Sequence, residues 1–178
     1  MFKKTQCKPC NTNKGAGKIS KVESCSTDNC GNAKNNKCIE GNNGYYAHTE
    51  GIGTIASGEA SHAEGHFTKA IEHAAHSEGY RTTAGGENSH AEGFNTVACG
   101  ITAHAEGHST NARGVASHTE GVSTIASGYA SHAEGISTEA SGEKSHAEGA
   151  NTSAQCFASH AEGECTIASG EISHAEGN

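Results

Sequence analysis

Ser117-His118-Thr119-Glu120-Gly121-Val122-Ser123-Thr124-Ile125-Ala126-Ser127-Gly128-Tyr129-Ala130 runs directly into Ser131-His132-Ala133-Glu134-Gly135-Ile136-Ser137-Thr138-Glu139-Ala140-Ser141-Gly142-Glu143-Lys144. The second stretch repeats the first in Ser, His, Glu, both Gly, Thr and Ala. Working outward, and taking each such His as position zero, the pattern recurs at His48, His62, His76, His90, His104, His118, His132, His146, His160 and His174. Glu follows two residues later at Glu50, Glu64, Glu78, Glu92, Glu106, Glu120, Glu134, Glu148, Glu162 and Glu176. Gly stands at position three in all ten coils; Thr at six, from Thr54 to Thr166, and Ala at eight, from Ala56 to Ala168, stand in the first nine, and a second Gly stands at ten in those nine except where Glu72 and Cys156 replace it. Self-similarity at one fixed period is the signature of a solenoid, in which each repeat buries its inner face against its neighbours.

A 14-residue period also equals two heptads, but two glycines per repeat and no regular apolar seam exclude a coiled coil. Two short strands and two Gly-containing turns per coil fit instead. The first strand is read as Ser-His-Ala-Glu-Gly and the second as Thr-x-Ala-x-Gly. Side chains alternate along a strand, so Ser, Ala and Gly share one face of the first strand, and His and Glu share the other. The small residues are expected inside, which allows only a thin coil, because a wider one would leave costly voids. The sequence therefore predicts an all-β fold: a parallel β-roll of about ten coils, ~45–50 Å long at ~4.8 Å per coil.

Composition agrees. The 178 residues include no Leu, no Trp, one Pro and 24 Gly. Neither a helical bundle nor a doubly wound α/β domain can fill its core from such material. Charge divides the chain. Residues 1–40 hold eight Lys against Glu23, Asp28 and Glu40, a balance of +5. Residues 41–178 hold Lys69, Arg81, Arg113 and Lys144 against seventeen Glu, a balance of −13, and the two sum to the net −8. The two parts are read as a basic, Cys-rich N-terminal connector (1–40), flexible or tied by disulfides, and a repeat domain (41–178).

Cys7, Cys10, Cys25, Cys30 and Cys38 crowd the connector and are the candidates for disulfides, interchain ones included, with reduced thiols or a loose zinc site around Cys7 and Cys10 as the alternatives. Cys99, Cys156 and Cys165 lie in the repeats. No apolar run follows the lysines of the first ten residues, and no stretch is long enough to span a membrane. The basic segment has one aromatic residue, Phe2, and no nucleic-acid-binding motif. It is better read as attaching to an acidic neighbour, such as the roll of another copy.

Outward His and Glu pose a question. A lone solenoid has no reason to present the same exposed pair ten times, while position seven varies freely through Ile55, Lys69, Thr83, Val97, Asn111 and Ile125. The His/Glu face is therefore expected to be buried against something regular, most simply the same face of other copies.

The repeat resembles the YadA-like head domain of trimeric autotransporter adhesins over about residues 44–178. In that family the first strand usually reads Ser-Val-Ala-Ile-Gly; here His62 and Glu64 stand where the apolar pair would. The resemblance implies a left-handed parallel β-roll and a homotrimer, with all twenty His and Glu of the motif along the trimer axis. It also implies an extracellular place, on the surface of a cell, spore or virion. The family's signal peptide, coiled-coil stalk and membrane anchor are not expected within these 178 residues.

On this reading the chain is not an enzyme: ten equivalent His-x-Glu units argue against one reactive centre. It is a structural, self-assembling protein that forms or decorates an appendage, fibre or coat. The alternative is an adhesin or phage tail-fibre head that binds a host or matrix receptor. Interleaved His donating to Glu would relieve repulsion in a Glu column and make the trimer pH-sensitive. No cofactor or metal is assigned, although His-x-Glu could supply two metal ligands from one strand. Ice binding is set aside because the Thr column is expected inside. His66, His73 and His108 are expected at the surface. The motif stops in mid-repeat at Gly177-Asn178, and an open coil invites stacking, so end-to-end filaments latched by the basic segment are a further expectation.

Overall fold

The computed structural model describes residues 44–177. The connector and its five cysteines lie outside the described residues. Every strand pair is parallel and the described chain has no helix. Strands alternate between two sheets. One has ten strands, from His48–Ile52 through His62–His66 and His76–Tyr80 to His174–Ala175. The other has nine, from Ile55–Ala56 to Ile167–Ala168. The chain is thus a parallel β-solenoid of about nine turns. The register is one coil: His48 pairs with His62, His62 with His76, and so on to His174.

Its interior follows the expected alternation. Ala at position one and Ala at position eight are fully buried from Ala56 to Ala161, except that Ser77 and Thr119 take two of the position-one places and are equally buried. Thr at position six, from Thr68 to Thr152, is buried too. With Ala as its largest apolar side chain, the core gains little per residue from burial. Cohesion comes instead from a regular backbone ladder. In one coil, His90 N–H donates to Ala103 O at 2.9 Å, Glu92 N–H to Ala105 O at 2.9 Å and Val97 N–H to Thr110 O at 3.0 Å.

The interior Ser hydroxyls are absorbed locally, whereas those of Thr68, Thr110, Thr119, Thr124, Thr138 and Thr152 are buried without a hydrogen-bond partner. Ser131 Oγ donates to Gly128 O at 2.8 Å, and Ser61, Ser89, Ser117 and Ser145 do the same to the residue three back at 2.7 Å. Thr96 Oγ1 donates to Glu92 O and Thr166 Oγ1 to Glu162 O, both at 2.9 Å. These bonds explain why Ser stands before His in most coils; at position six they account for Thr82, Thr96 and Thr166 alone.

The turns differ from the expected ones. Gly at position three does not share the inner face of the first strand. It turns at positive φ, +100° at Gly107, and the Cβ of any other residue there would stand 2.3 Å from Gly121 O of the next coil. Gly at position ten is buried with ordinary φ. There the reason for Gly is approach alone, since a Cβ on Gly114 would stand 1.8 Å from Gly128 O. The left-handed turn residues are mostly not Gly. They fall two before each His, as at Ala130 (φ 50°), and five after it, as at Ser123 (φ 58°). Consequently most coils keep only two residues of regular pairing per strand, such as His90–Ala91 and Val97–Ala98.

Candidate functional site

Position zero lies between the inward Ser at minus one and the inward Ala at plus one, so its side chain must leave the coil. One-coil register then stacks these side chains in a column. From His62 to His174, successive imidazole rings have centroids 4.7–4.9 Å apart and interplanar angles of 7° or less. His48 is tilted 45° from His62. The rings are half-buried by one another, with the His90 side chain 35% exposed and that of Glu92 34%. The structure thus brings the twenty motif residues together on one flat face, in two adjacent columns.

Each Glu stands beside the His of its own coil without bonding to it. Nε2-to-Oε2 separations are 3.6 Å at His62/Glu64, 3.8 Å at His90/Glu92 and 3.9 Å at His104/Glu106. Two residues along a strand are set ~6.6 Å apart, and the pleat leaves these side chains short of hydrogen-bond contact. Toward the end of the ladder His reaches back to the previous coil: His160 Nε2 is 3.5 Å from Glu148 and His174 Nε2 3.0 Å from Glu162. Between the two columns, among the described residues, the His174–Glu162 pair forms a hydrogen bond. The Nε2 atoms of His62, His76, His90, His104, His118, His132, His146 and His160 are shielded from water and have no hydrogen-bond partner.

Crowding sets the protonation of the face. Burial lowers the His62, His90, His118, His132 and His146 pKa values, and neighbouring imidazoles add to the effect. The carboxyls share protons along their column. A hydrogen bond to Glu92 holds both Glu78 and Glu106 protonated up to about 7, and Glu92 is correspondingly lowered. The same relation holds between Glu134, raised, and Glu148, lowered. An open groove of about 420 Å³ runs along Glu120, Glu134, Glu148 and Glu162, with Gly135, Gly149 and Gly163 lining it.

A third column was not anticipated. Position four continues the outward alternation past the Gly turn, and its residues pair through isolated bridges from Tyr80 to Glu164. Tyr80 stacks on Phe94 at 5.1 Å, Phe94 on His108 at 4.9 Å, and His66 meets Tyr80 edge-on at 5.2 Å. Ile52, Phe94, Val122 and Ile136 leave 42–56% of their surface exposed. His66 and His108 thus belong to this surface column. The signal was present at position four, where an apolar or aromatic residue stands in Ile52, Tyr80, Phe94, Val122 and Ile136.

Two of the repeat cysteines are free thiols. Cys156 donates its S–H to Ser169 O at 2.9 Å and Cys165 is exposed. Cys99 is disulfide-bonded. No helix among the described residues is long and apolar enough to cross a membrane.

Fold and site together define a class: a parallel β-solenoid of 14-residue coils that carries a titratable His/Glu ladder on one face. Within that class the comparisons give no narrower placement, since no protein-family model matches the chain and no curated protein is significantly similar to it.

Proposed function

We propose that this chain is a structural, self-assembling surface protein, and that copies associate as a homotrimer of the YadA-like head type with the His/Glu columns lining the shared axis. The observation that carries this reading is the row of eight shielded imidazole nitrogens without partners along one outer face. An unsatisfied buried polar atom costs about 1–3 kcal/mol, so a row of them calls for groups from outside the chain. The face is also flat and periodic, and the apolar column at position four borders it, as the core of a subunit interface requires. The product would be a rod suited to an appendage, fibre or coat at the surface of a cell, spore or virion.

A second reading rests on a different feature. Ile55, Phe67, Lys69, Arg81 and Thr83 line an open groove, with Arg81 over the Tyr80 ring at 5.3 Å. Two of the four basic residues of the repeat domain meet there beside an exposed aromatic ring. That combination suits an adhesive head that holds an acidic host or matrix receptor. Mass in solution by light scattering, with and without reductant, tests both. Reductant-sensitive polymers of a trimer support the appendage. A trimer that never polymerises supports the adhesive head. A monomer at micromolar concentration overturns the shared axis.

A further inference from the structure

We propose that the His/Glu ladder is a linear array of divalent transition-metal sites, each made by Glu of one coil with His and Glu of the next. Zn²⁺ is the ion whose ligand chemistry fits best. Glu78/His90/Glu92, Glu92/His104/Glu106 and Glu148/His160/Glu162 each have three ligand atoms within 4.8 Å of one another.

Distance selects this ligand set over its rivals. Zn–N and Zn–O bonds are ~2.0–2.2 Å, so two atoms on one ion lie at most ~4.2 Å apart and ~3.4 Å apart in a tetrahedral site. His-to-Glu separations of 3.5 Å at His160/Glu148 and 3.8 Å at His90/Glu92 lie within reach, and the rotatable Glu side chain can close the rest. Stacked rings have centroids 4.8 Å apart at His132/His146, beyond the ~4.2 Å span of one ion, so the two-imidazole group His132/Glu134/His146, which meets the same 4.8 Å spacing, needs more movement than the groups with one imidazole. The donor set is therefore one imidazole and two carboxylates, with a fourth position open to water.

Two further observations point to an ion. The Nε2 atoms of His90, His104 and His160 stand 3.8, 3.9 and 3.5 Å from ladder carboxylates and bond to nothing, so an ion there would satisfy them while replacing carboxyl–carboxyl hydrogen bonds of the Glu column. The column also lacks fixed countercharge on its own face, because positions zero and two are His and Glu in every coil. A dication neutralises two of these carboxylates at once. The groove over Glu120, Glu134 and Glu148 gives an ion a path from solvent.

Adjacent sites share a Glu, as the first two triads share Glu92. Filling both would place two dications one coil apart. Filling every second site doubles the separation and halves their Coulomb repulsion. Ten Glu used two at a time set the limit at five ions per chain.

This inference uses the face described above but does not require a trimer. Its test uses the full chain, with thiols alkylated so that cysteine cannot bind the metal, stripped with chelator and titrated calorimetrically with Zn²⁺. The expected stoichiometry is about four or five per chain, and about two fewer in the E92Q/E106Q double variant, whose removed carboxylates serve three consecutive triads. E59Q/E87Q, altered at exposed positions off the ladder, should match the parent. Co²⁺ substituted for Zn²⁺ should give a d–d spectrum of nitrogen and oxygen ligation without thiolate bands. Less than one ion per chain at 100-fold Zn²⁺ excess would overturn the proposal. So would unchanged stoichiometry in an E92Q/E106Q protein whose circular dichroism matches the parent. Mass measured on the same samples separates the two readings, because a monomer that binds the array removes the shared axis and leaves the metal sites.

Discussion

The two sheets share one backbone plan and differ in what they show to the outside. The first presents His and Glu at positions zero and two in all ten coils. The second presents Ile55, Lys69, Thr83, Val97, Asn111, Ile125, Glu139, Ser153 and Ile167 in successive coils at position seven. Main-chain pairing is the same on both sides, so pairing does not dictate the outer residue. Where nothing outside the chain must be matched, the column drifts. The first sheet is held to two residue types by something other than the fold, and function is to be sought there.

The comparison can be broken most severely from inside, where both sheets depend on the same spacing. Gly114→Ala places a Cβ 1.8 Å from Gly128 O, and backbone cannot yield as a side chain tip does. Loss of several kcal/mol is expected, on the order of 3 or more, and urea melts followed by circular dichroism will register it. A normal melt would mean that the coils are spaced more loosely than described.

Next in size is the hydroxyl that ties the turn to the His strand. Ser131→Ala removes the Oγ bond to Gly128 O and leaves a carbonyl without it, at a cost of about 1 kcal/mol. Ser153→Ala, on the drifting column of the second sheet, should fall within about 0.5 kcal/mol of the parent. Equal melting of the two variants would erase the distinction drawn between inner and outer Ser.

The smallest effect is electrostatic and sharpens the contrast. In metal-free protein, Glu78 and Glu106 should titrate at about 7, above an ordinary 4.5, while His90 and His118 titrate below their ordinary 6.5. The usual order of Glu and His is inverted between these two pairs of groups. Between 4.5 and about 7 the folded chain binds more protons at Glu78 and Glu106 than the unfolded chain, so their contribution to stability falls as pH rises through that window. For His90 and His118 the unfolded chain binds more protons just below 6.5, so their contribution falls as pH drops there. The two slopes oppose each other. Carboxyl and imidazole resonances followed by NMR will separate them, and Glu106 titrating near 4.5 would refute the shared-proton ladder.

Much of this was legible in the sequence. Period, register and the inside-outside phase follow from His, Glu, Thr and Ala recurring at fixed offsets, and the thin Ala/Ser/Thr core follows from the phase. The turns were not legible, because their left-handed residues are Ala130, Ser123 and Lys144, none of which announces positive φ. Their conformation is held between coils: Ala130 N–H donates to Val115 O at 2.9 Å and Ser123 N–H to His108 O at 2.9 Å. A contact with the previous coil cannot be seen in the local residue type. The spacing between His and Glu was equally hidden, since residue identity places them on one face but does not say whether 2.9 or 3.8 Å separates them.

One coil of 14 residues advances the His column by 4.7–4.9 Å and alters nothing else about it. Each coil meets only its two neighbours, so a gene that gains or loses one such unit lengthens or shortens the molecule by one fixed tick without repacking the rest. The fold is thereby a ruler graduated in units of its own sequence, and whatever reads the ladder reads length as a count.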